Sequence, residues 1–171
     1  MSGDNPLYYF DTSIIIAWIK NETNKRTPEE MDGVKELFKK VHSGEVRFLT
    51  SIWTNNEILD CTLSPSDQIK FKKLAVSRKN FHWADDTARV QPLSRELRDY
   101  YKALNDGLPT LSVPDGIHLA TAIIYKADIF YTFDERDDPK RQRGLIPLSG
   151  KVANKYPLII CKPYGKQTEL F

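Results

Sequence analysis

Four carboxylates stand where an α/β fold places its reactive groups. Asp11 closes the apolar run "LYYF" and Asp134 closes "DIFYTF", runs with the composition of buried strands. Glu57 and Asp115 each follow a hydroxyl residue by three positions, in "TNNE" and "SVPD", which puts both in the first turn of a helix. In a parallel α/β sheet, strand C-termini and helix N-termini share one edge, and ligands bind there. A helix from Asp115 to Ala127 descends roughly 18 Å at 1.5 Å per residue. A strand from Asp128 to Asp134 climbs back about 20 Å at 3.3 Å per residue. The two lengths nearly cancel, so Asp134 returns to the level of Asp115. No such closure links Asp11 to Glu57, because the loop from Asn21 to Arg26 leaves the helix direction open.

Each acid also has an ordinary structural use. Asp11 can cap the first helix, Glu57 and Asp115 can complete capping boxes, and Asp134 can form an Asx-turn. For any one alone, that use is the better reading. Four at one edge are different, since carboxylates about 6 Å apart repel by roughly 3 kcal/mol per pair at an effective dielectric of about 20. Such a cluster takes up protons or binds divalent cations. An all-oxygen donor set suits Mg²⁺ or Mn²⁺, ions that commonly serve phosphate chemistry. No His/Cys spacing suggests zinc.

The elements that must position these acids can be traced along the chain. After the "LYYF" strand, "TSIIIAWIK" reads as a first helix. "TPEEMDGVKELFKKVHSG" reads as a second, with Thr27 as N-cap, Pro28 at the first position, Glu30 completing a capping box and Gly44 as the stop. Its Val34, Leu37, Phe38 and Val41 form a core stripe. "EVRFLTS" reads as a strand, and "TNNEILDCTL" opens a helix with Thr54 and Glu57 as a capping box. "SDQIKFKKLAVS" reads as a helix, "NFHWADDTARVQP" as irregular or extended, and "SRELRDYYKALND" as a helix ended by Gly107. The helix of Asp115 and the strand before Asp134 follow, then the charged loop "DERDDPKRQRG", a last strand "PLIICKP", and a tail at 164–171. Strands alternating with helices imply an α/β fold with a mostly parallel sheet.

The 171 residues suffice for one domain with a real core, and 40% hydrophobic with 28% charged residues fits a globular chain. A formal charge of +2 is too small to argue for nucleic-acid binding by itself, so any basic surface must be local. Cys61 and Cys161 lack metal or redox spacing, which points to a reducing compartment, with a single bridge as the alternative. "MSGDNP" is not a signal-peptide start, and "IIIAWI" is too short to span a bilayer. The expected location is the cytoplasm, with no membrane association.

The segments "YYFDTSIIIAW", "LTSIWTNNEIL", "VPDGIHLATAIIYKADIFYTFDER" and "IICKP" resemble a PIN domain, the VapC-like group in particular, over roughly 7–163. The resemblance implies a single domain spanning 1–171, a three-layer α/β/α sandwich, and a metal-dependent endoribonuclease. It implies that Asp11, Glu57, Asp115 and Asp134 form an acidic quartet holding one or two Mg²⁺ or Mn²⁺ ions. Thr132 matches the hydroxyl residue the family often carries two positions before its last Asp, and Ser13 the small polar residue after its first. RNA as substrate, an antitoxin protein and a homodimer are the implied partners. The alternatives are an RNA-processing nuclease without an antitoxin, and a PIN-like protein that binds RNA or protein without cutting. A response-regulator receiver would need an acidic pair after the first strand and a late Lys, and neither is evident.

Several neighbours carry weaker signals. Arg136, Lys140, Arg141 and Arg143 follow Asp134 and are candidates for phosphate contacts. Asp137 and Asp138 read as solvated surface, with a fifth carboxylate as the alternative. His118 lies one turn after Asp115 and reads as a packed helix residue outside the catalytic set. Lys70, Lys72, Lys73, Arg78 and Lys79, beside Phe81, His82 and Trp83, read as a solvated face rather than an RNA groove.

Overall fold

The computed structural model describes residues 5–59, 62–77, 79–85, 87–138 and 141–164. Its elements run β1 (Leu7–Phe10), α1 (Thr12–Lys20), α2 (Pro28–Ser43), β2 (Arg47–Ser51), α3 (Thr54–Leu59), α4 (Pro65–Val76) and β3 (Phe81–Ala84). There follow α5 (Val90–Ala103), α6 (Val113–Ile124), β4 (Ile129–Tyr131), β5 (Asp137–Asp138), β6 (Gln142–Arg143) and β7 (Ile159–Cys161). Five of the strands form one parallel sheet in the order β3-β2-β1-β4-β7. The chain first builds outward from β1 through β2 and β3, then crosses back to lay β4 on the other side of β1. That reversal opens a crevice at the C-terminal ends of β1 and β4, the ends from which Asp11 and Asp134 emerge.

Consecutive residues of each strand face opposite layers, which is why these strands are apolar throughout. Tyr9, Leu49 and Phe130 join Leu93 and Leu97 of α5 and Leu119 and Ala122 of α6 in one core. Phe10, Phe48 and Tyr131 join Ile14 and Ile15 of α1 and Val34, Phe38 and Val41 of α2 in the other. The result is a three-layer α/β/α sandwich. The Thr27 capping box at the start of α2 and the left-handed Gly44 at its end form as expected.

Some local expectations are corrected. Phe81–Ala84, read as irregular or extended, is a strand paired with β2 at the sheet edge. Its four residues lie between polar turn residues and it leaves His82 exposed, so its periodicity is short and broken. Helix α5 starts at Val90, ahead of the expected "SRELR", with Pro92 in its first turn, where a missing N–H costs no intrahelical bond. Thr54 lies inside α3 rather than at its N-cap, because its hydroxyl turns into the core to Thr50 and Thr12. The charged loop after Asp134 contains a short antiparallel ladder between β5 and β6. Cys161 is a free, half-buried thiol whose pKa burial pushes up to about 11. Cys61, Arg78 and the tail beyond Tyr164 lie outside the described residues. Among the described residues no helix is long and apolar enough to cross a membrane.

Candidate active site

Asp11 leaves β1 while its backbone N–H is still bonded to the Tyr131 carbonyl at 3.0 Å, so the sheet itself sets its position. It occupies the N-cap site of α1, yet its carboxylate makes no capping bond. Instead Oδ2 accepts from the hydroxyls of Ser13 and Thr132, each at 2.7 Å. The Thr132 hydroxyl also accepts the Asp134 N–H at 3.0 Å, linking the two acids across neighbouring strands. Asp11 is thus a buried carboxylate held by two hydroxyls, not a side-chain helix cap.

Asp115 does support its helix, but by a different contact from the expected reciprocal box. Its N–H donates to Ser112 Oγ at 3.1 Å, and the same hydroxyl donates to Asp115 Oδ2 at 2.6 Å. Burial, together with the charges of Asp11 and Asp134, lifts the Asp115 pKa to about 6, against the lowering effect of the Ser112 bond. The carboxyl therefore takes up its proton about two pH units sooner than a free one on acidification, chiefly because it is buried and secondly because Asp11 and Asp134 lie near. Asp134 forms a long Asx-turn bond to the Arg136 N–H at 3.4 Å. Its oxygens also receive Arg136 Nε and Nη2, both at 2.7 Å, in a bidentate fork. Gly144 lets this loop close, since a Cβ there would fall 2.2 Å from the Arg136 carbonyl oxygen.

Glu57 reaches the site from α3. Its Oε2 accepts the Thr12 hydroxyl and the Nε2–H of His118 at 2.7 Å. His118 is fully buried, and its other ring nitrogen meets the Tyr9 hydroxyl at 2.6 Å. The Tyr9 oxygen in turn accepts the Ser51 N–H at 3.1 Å, so the chain of contacts ends on the sheet backbone. Burial opposes a charge on His118, but the bond to Glu57 and the charge of Asp11, whose Oδ1 lies 3.9 Å from Nε2, raise its pKa. Burial also disfavours charge on Glu57, and the His118 bond overcomes it to lower that pKa. The two shifts, His118 upward and Glu57 downward, both run toward the charged forms of the pair.

Asp11, Glu57, Asp115 and Asp134 thus line one open cleft of about 340 Å³, with Ser13 and Arg136 on its walls. The cleft also takes Arg26, whose guanidinium lies 4.0 Å over the Phe133 ring. Thr132 stands just behind, holding Asp11. Arg143 turns elsewhere and stacks its guanidinium 5.0 Å over Tyr101. Arg141 is exposed and bonds to Asp138 through its N–H, and Lys140 lies outside the described residues. Lys70 is tied to the Ile19 carbonyl at 3.0 Å, and Phe81 is buried in the sheet, so that second basic cluster offers no row of free rings. His118 is packed as the sequence reading expected, but its bond to Glu57 and the support it takes from Tyr9 were not foreseen. The one usable signal was a histidine on the turn after Asp115, and nothing in the sequence showed that Tyr9 lies beneath it.

The donor set is all oxygen at the open face, and the Asp115 pKa is raised by burial first and by Asp11 and Asp134 second; a hard divalent ion would suit such a set. Among the described residues, no three Asp, Glu, His or Cys side chains are drawn tightly enough together to form a ready-made ion cage. His118 and Arg136 presently share the compensating role, one beside Glu57 and the other on Asp134.

An all-parallel α/β/α sandwich with clustered carboxylates at its topological switch point defines a class of protein whose chemistry sits on the sheet edge. The chain belongs to the PIN domain family, whose match covers residues 8–141. Three solved structures share the fold. A toxin–antitoxin complex from Klebsiella pneumoniae contains a chain 19% identical, with a TM-score of 0.57 over 93% of this chain and 99% of that one. VapBC2 from Rickettsia felis, bound to a promoter DNA fragment, gives 16% identity and a TM-score of 0.59 over 91% and 97%. FitAcB from Neisseria gonorrhoeae gives 17% identity and a TM-score of 0.55 over 91% and 97%. Comparison with curated proteins returned no match.

Proposed function

We propose that this chain is a Mg²⁺- or Mn²⁺-dependent endoribonuclease that hydrolyses RNA phosphodiesters and acts as the toxin of a toxin–antitoxin pair. The observation that carries the proposal is the convergence of Asp11, Glu57, Asp115 and Asp134 on one cleft at the sheet switch point. PIN domains are generally divalent-metal-dependent nucleases. The toxin reading and the antitoxin partner draw on the Klebsiella pneumoniae neighbour, which is described as a toxin–antitoxin complex.

The four carboxylates would hold the ion, with Asp11 and Asp115 as the nearest candidates for direct ligands. Bound there, a divalent ion supplies a water of lowered pKa and a positive charge against the scissile phosphate. The chain's own residues do the rest. Ser13 and Thr132 fix Asp11 through Oδ2, so that its other oxygen is held in a set direction. Tyr9 and His118 set the Glu57 carboxylate, and Thr12 adds a second donor to it. Arg136 carries a planar fork matched to phosphate as well as to carboxylate, and places it at the cleft wall.

The test is incubation of the purified protein with labelled RNAs in Mg²⁺, Mn²⁺ or EDTA, beside an Asp11→Asn variant. Metal-dependent cutting that the variant lacks is the expected result. An Asp11→Asn protein that still cuts with metal would overturn the assignment. Loss of cutting on addition of the product of an adjoining small reading frame tests the antitoxin.

A further inference from the structure

A second concavity lies outside the acidic cleft. It is a groove of about 760 Å³ between α5 and the loop that leads into α6. Arg95, Arg98 and Lys102 line it from α5, and Asp99 is the one acid among its lining residues. Spacing of three and four residues puts these cations on one helical face, spread along roughly 10 Å of helix axis. Their charges are lightly engaged. Arg95 faces Asp99 at 3.7 Å with both side chains exposed, a pairing that contributes little in water. Glu96, the next acid on the helix, is drawn to Lys155 at 3.2 Å.

The groove borders the start of α6, the helix that carries Asp115. Val113, on its opposite wall, is exposed and stands two residues before Asp115. Gly116, directly after Asp115, is where α5 presses against α6. A Cβ at 116 would fall 2.8 Å from Ser94 Oγ and 2.9 Å from Arg98 Cδ. The missing side chain therefore lets the stem of Arg98 lie against the first turn of the helix that carries Asp115. Arg98 Nε reaches the Leu111 carbonyl at 3.4 Å, which anchors its head at the same junction.

From this geometry we infer that the α5 groove is a phosphate track, in which Lys102, Arg98 and Arg95 hold the backbone of a single-stranded RNA leading to or from the acidic cleft. The inference rests on the nuclease reading for its substrate and adds a binding surface distinct from the quartet. An excess of cations over acids along a groove that borders the helix carrying Asp115 is the electrostatic complement of a polyanion. Side chains that contact phosphate position the strand without reading its sequence.

The experiment is a fluorescence-anisotropy titration of the intact protein with a mixed-sequence, labelled single-stranded RNA in EDTA, where metal-dependent cutting is off. Lys102→Glu and Arg95→Gln are exposed changes that leave the fold alone; Arg98→Lys keeps the charge where the stem is packed. Lys102→Glu is expected to weaken binding about tenfold, and Lys102→Glu with Arg95→Gln and Arg98→Gln by much more. The slope of log affinity against log salt should fall by about 2 in that triple variant, at roughly 0.7 for each phosphate no longer neutralised. Arg98→Lys alone should retain most of the affinity, and Lys39→Gln in the opposite helical layer should leave it unchanged. Wild-type affinity and slope in the triple variant would overturn the track, as would absence of RNA binding by the unmodified protein. So would light scattering that shows a dimer converted to monomer by these changes, since the exposed Leu104 and Leu108 nearby could then be part of a protein interface. Cleavage separates the two ideas. Unchanged cutting by the triple variant in Mn²⁺ sinks the track alone, while RNA held in this groove and never cut sinks the nuclease reading alone.

Discussion

His118 on α6 and Glu57 on α3 meet at 2.7 Å, and the Tyr9 hydroxyl of β1 holds the opposite ring nitrogen at 2.6 Å. Three elements distant in sequence therefore orient one carboxylate. The histidine is fully buried, so its contacts must be made within the protein.

Tyr9→Phe removes one hydroxyl and keeps the packing, leaving a ring nitrogen of His118 without that contact. It should lower stability by about 1–3 kcal/mol and metal affinity or activity by about 10–100-fold. Urea unfolding and Mn²⁺ titration read the two effects separately. An unchanged Mn²⁺ affinity would show that the Tyr9–His118 pair serves the core alone.

Thr132→Val replaces the hydroxyl that ties Asp11 to the Asp134 backbone by a methyl group of similar volume. Cleavage should drop about 10–100-fold with the fold retained. Asp11→Asn, at the acid itself, should cost about a hundredfold or more. Single-turnover cutting assays would rank them, and a Thr132→Val protein as active as wild type would remove Thr132 from the site.

Asp115 sets the pH dependence. Its pKa rises from 3.8 unfolded to about 6 folded, so the folded state binds the proton more tightly. That stabilisation is full below pH 4 and is lost as pH rises through 6, a difference on the order of 2–3 kcal/mol. In EDTA, Asp115→Asn should therefore melt higher than wild type at neutral pH, with the gain shrinking toward pH 5. Equal effects at both pH values would contradict the crowding of the carboxylates.

Arg136→Gln frees both oxygens of Asp134 from the fork that now holds them. Mn²⁺ should bind several-fold tighter by calorimetry, because the ion no longer competes with the guanidinium. RNA turnover should show a raised KM if Arg136 also touches phosphate. Weaker Mn²⁺ binding would mean that the fork preorganises Asp134 instead of blocking it.

Much of this molecule was readable from local chemistry. Apolar strands ending in Asp and the helix-start patterns at Glu57 and Asp115 are short-range signals that placed all four acids along one sheet edge, and matched lengths set Asp115 and Asp134 level. Glu57 was harder, since its helix direction depends on a loop with no periodicity. The edge strand Phe81–Ala84 was missed because four residues carry too little pattern to distinguish a strand from an extended loop.

What the sequence alone determined is the alternation of elements and the acids at their ends, because hydrogen-bonding patterns and caps are written within a few residues. Only the tertiary structure decided what those acids do. Asp11 became a tied carboxylate rather than a cap because Thr132 arrives from 121 residues away. Glu57 gained its orientation from a histidine 61 residues on, which itself stands on a tyrosine of β1. The groove on α5 borders the first turn of α6 because Gly116 lets the two helices close. Contacts of that range depend on how the layers pack, and no local pattern records them.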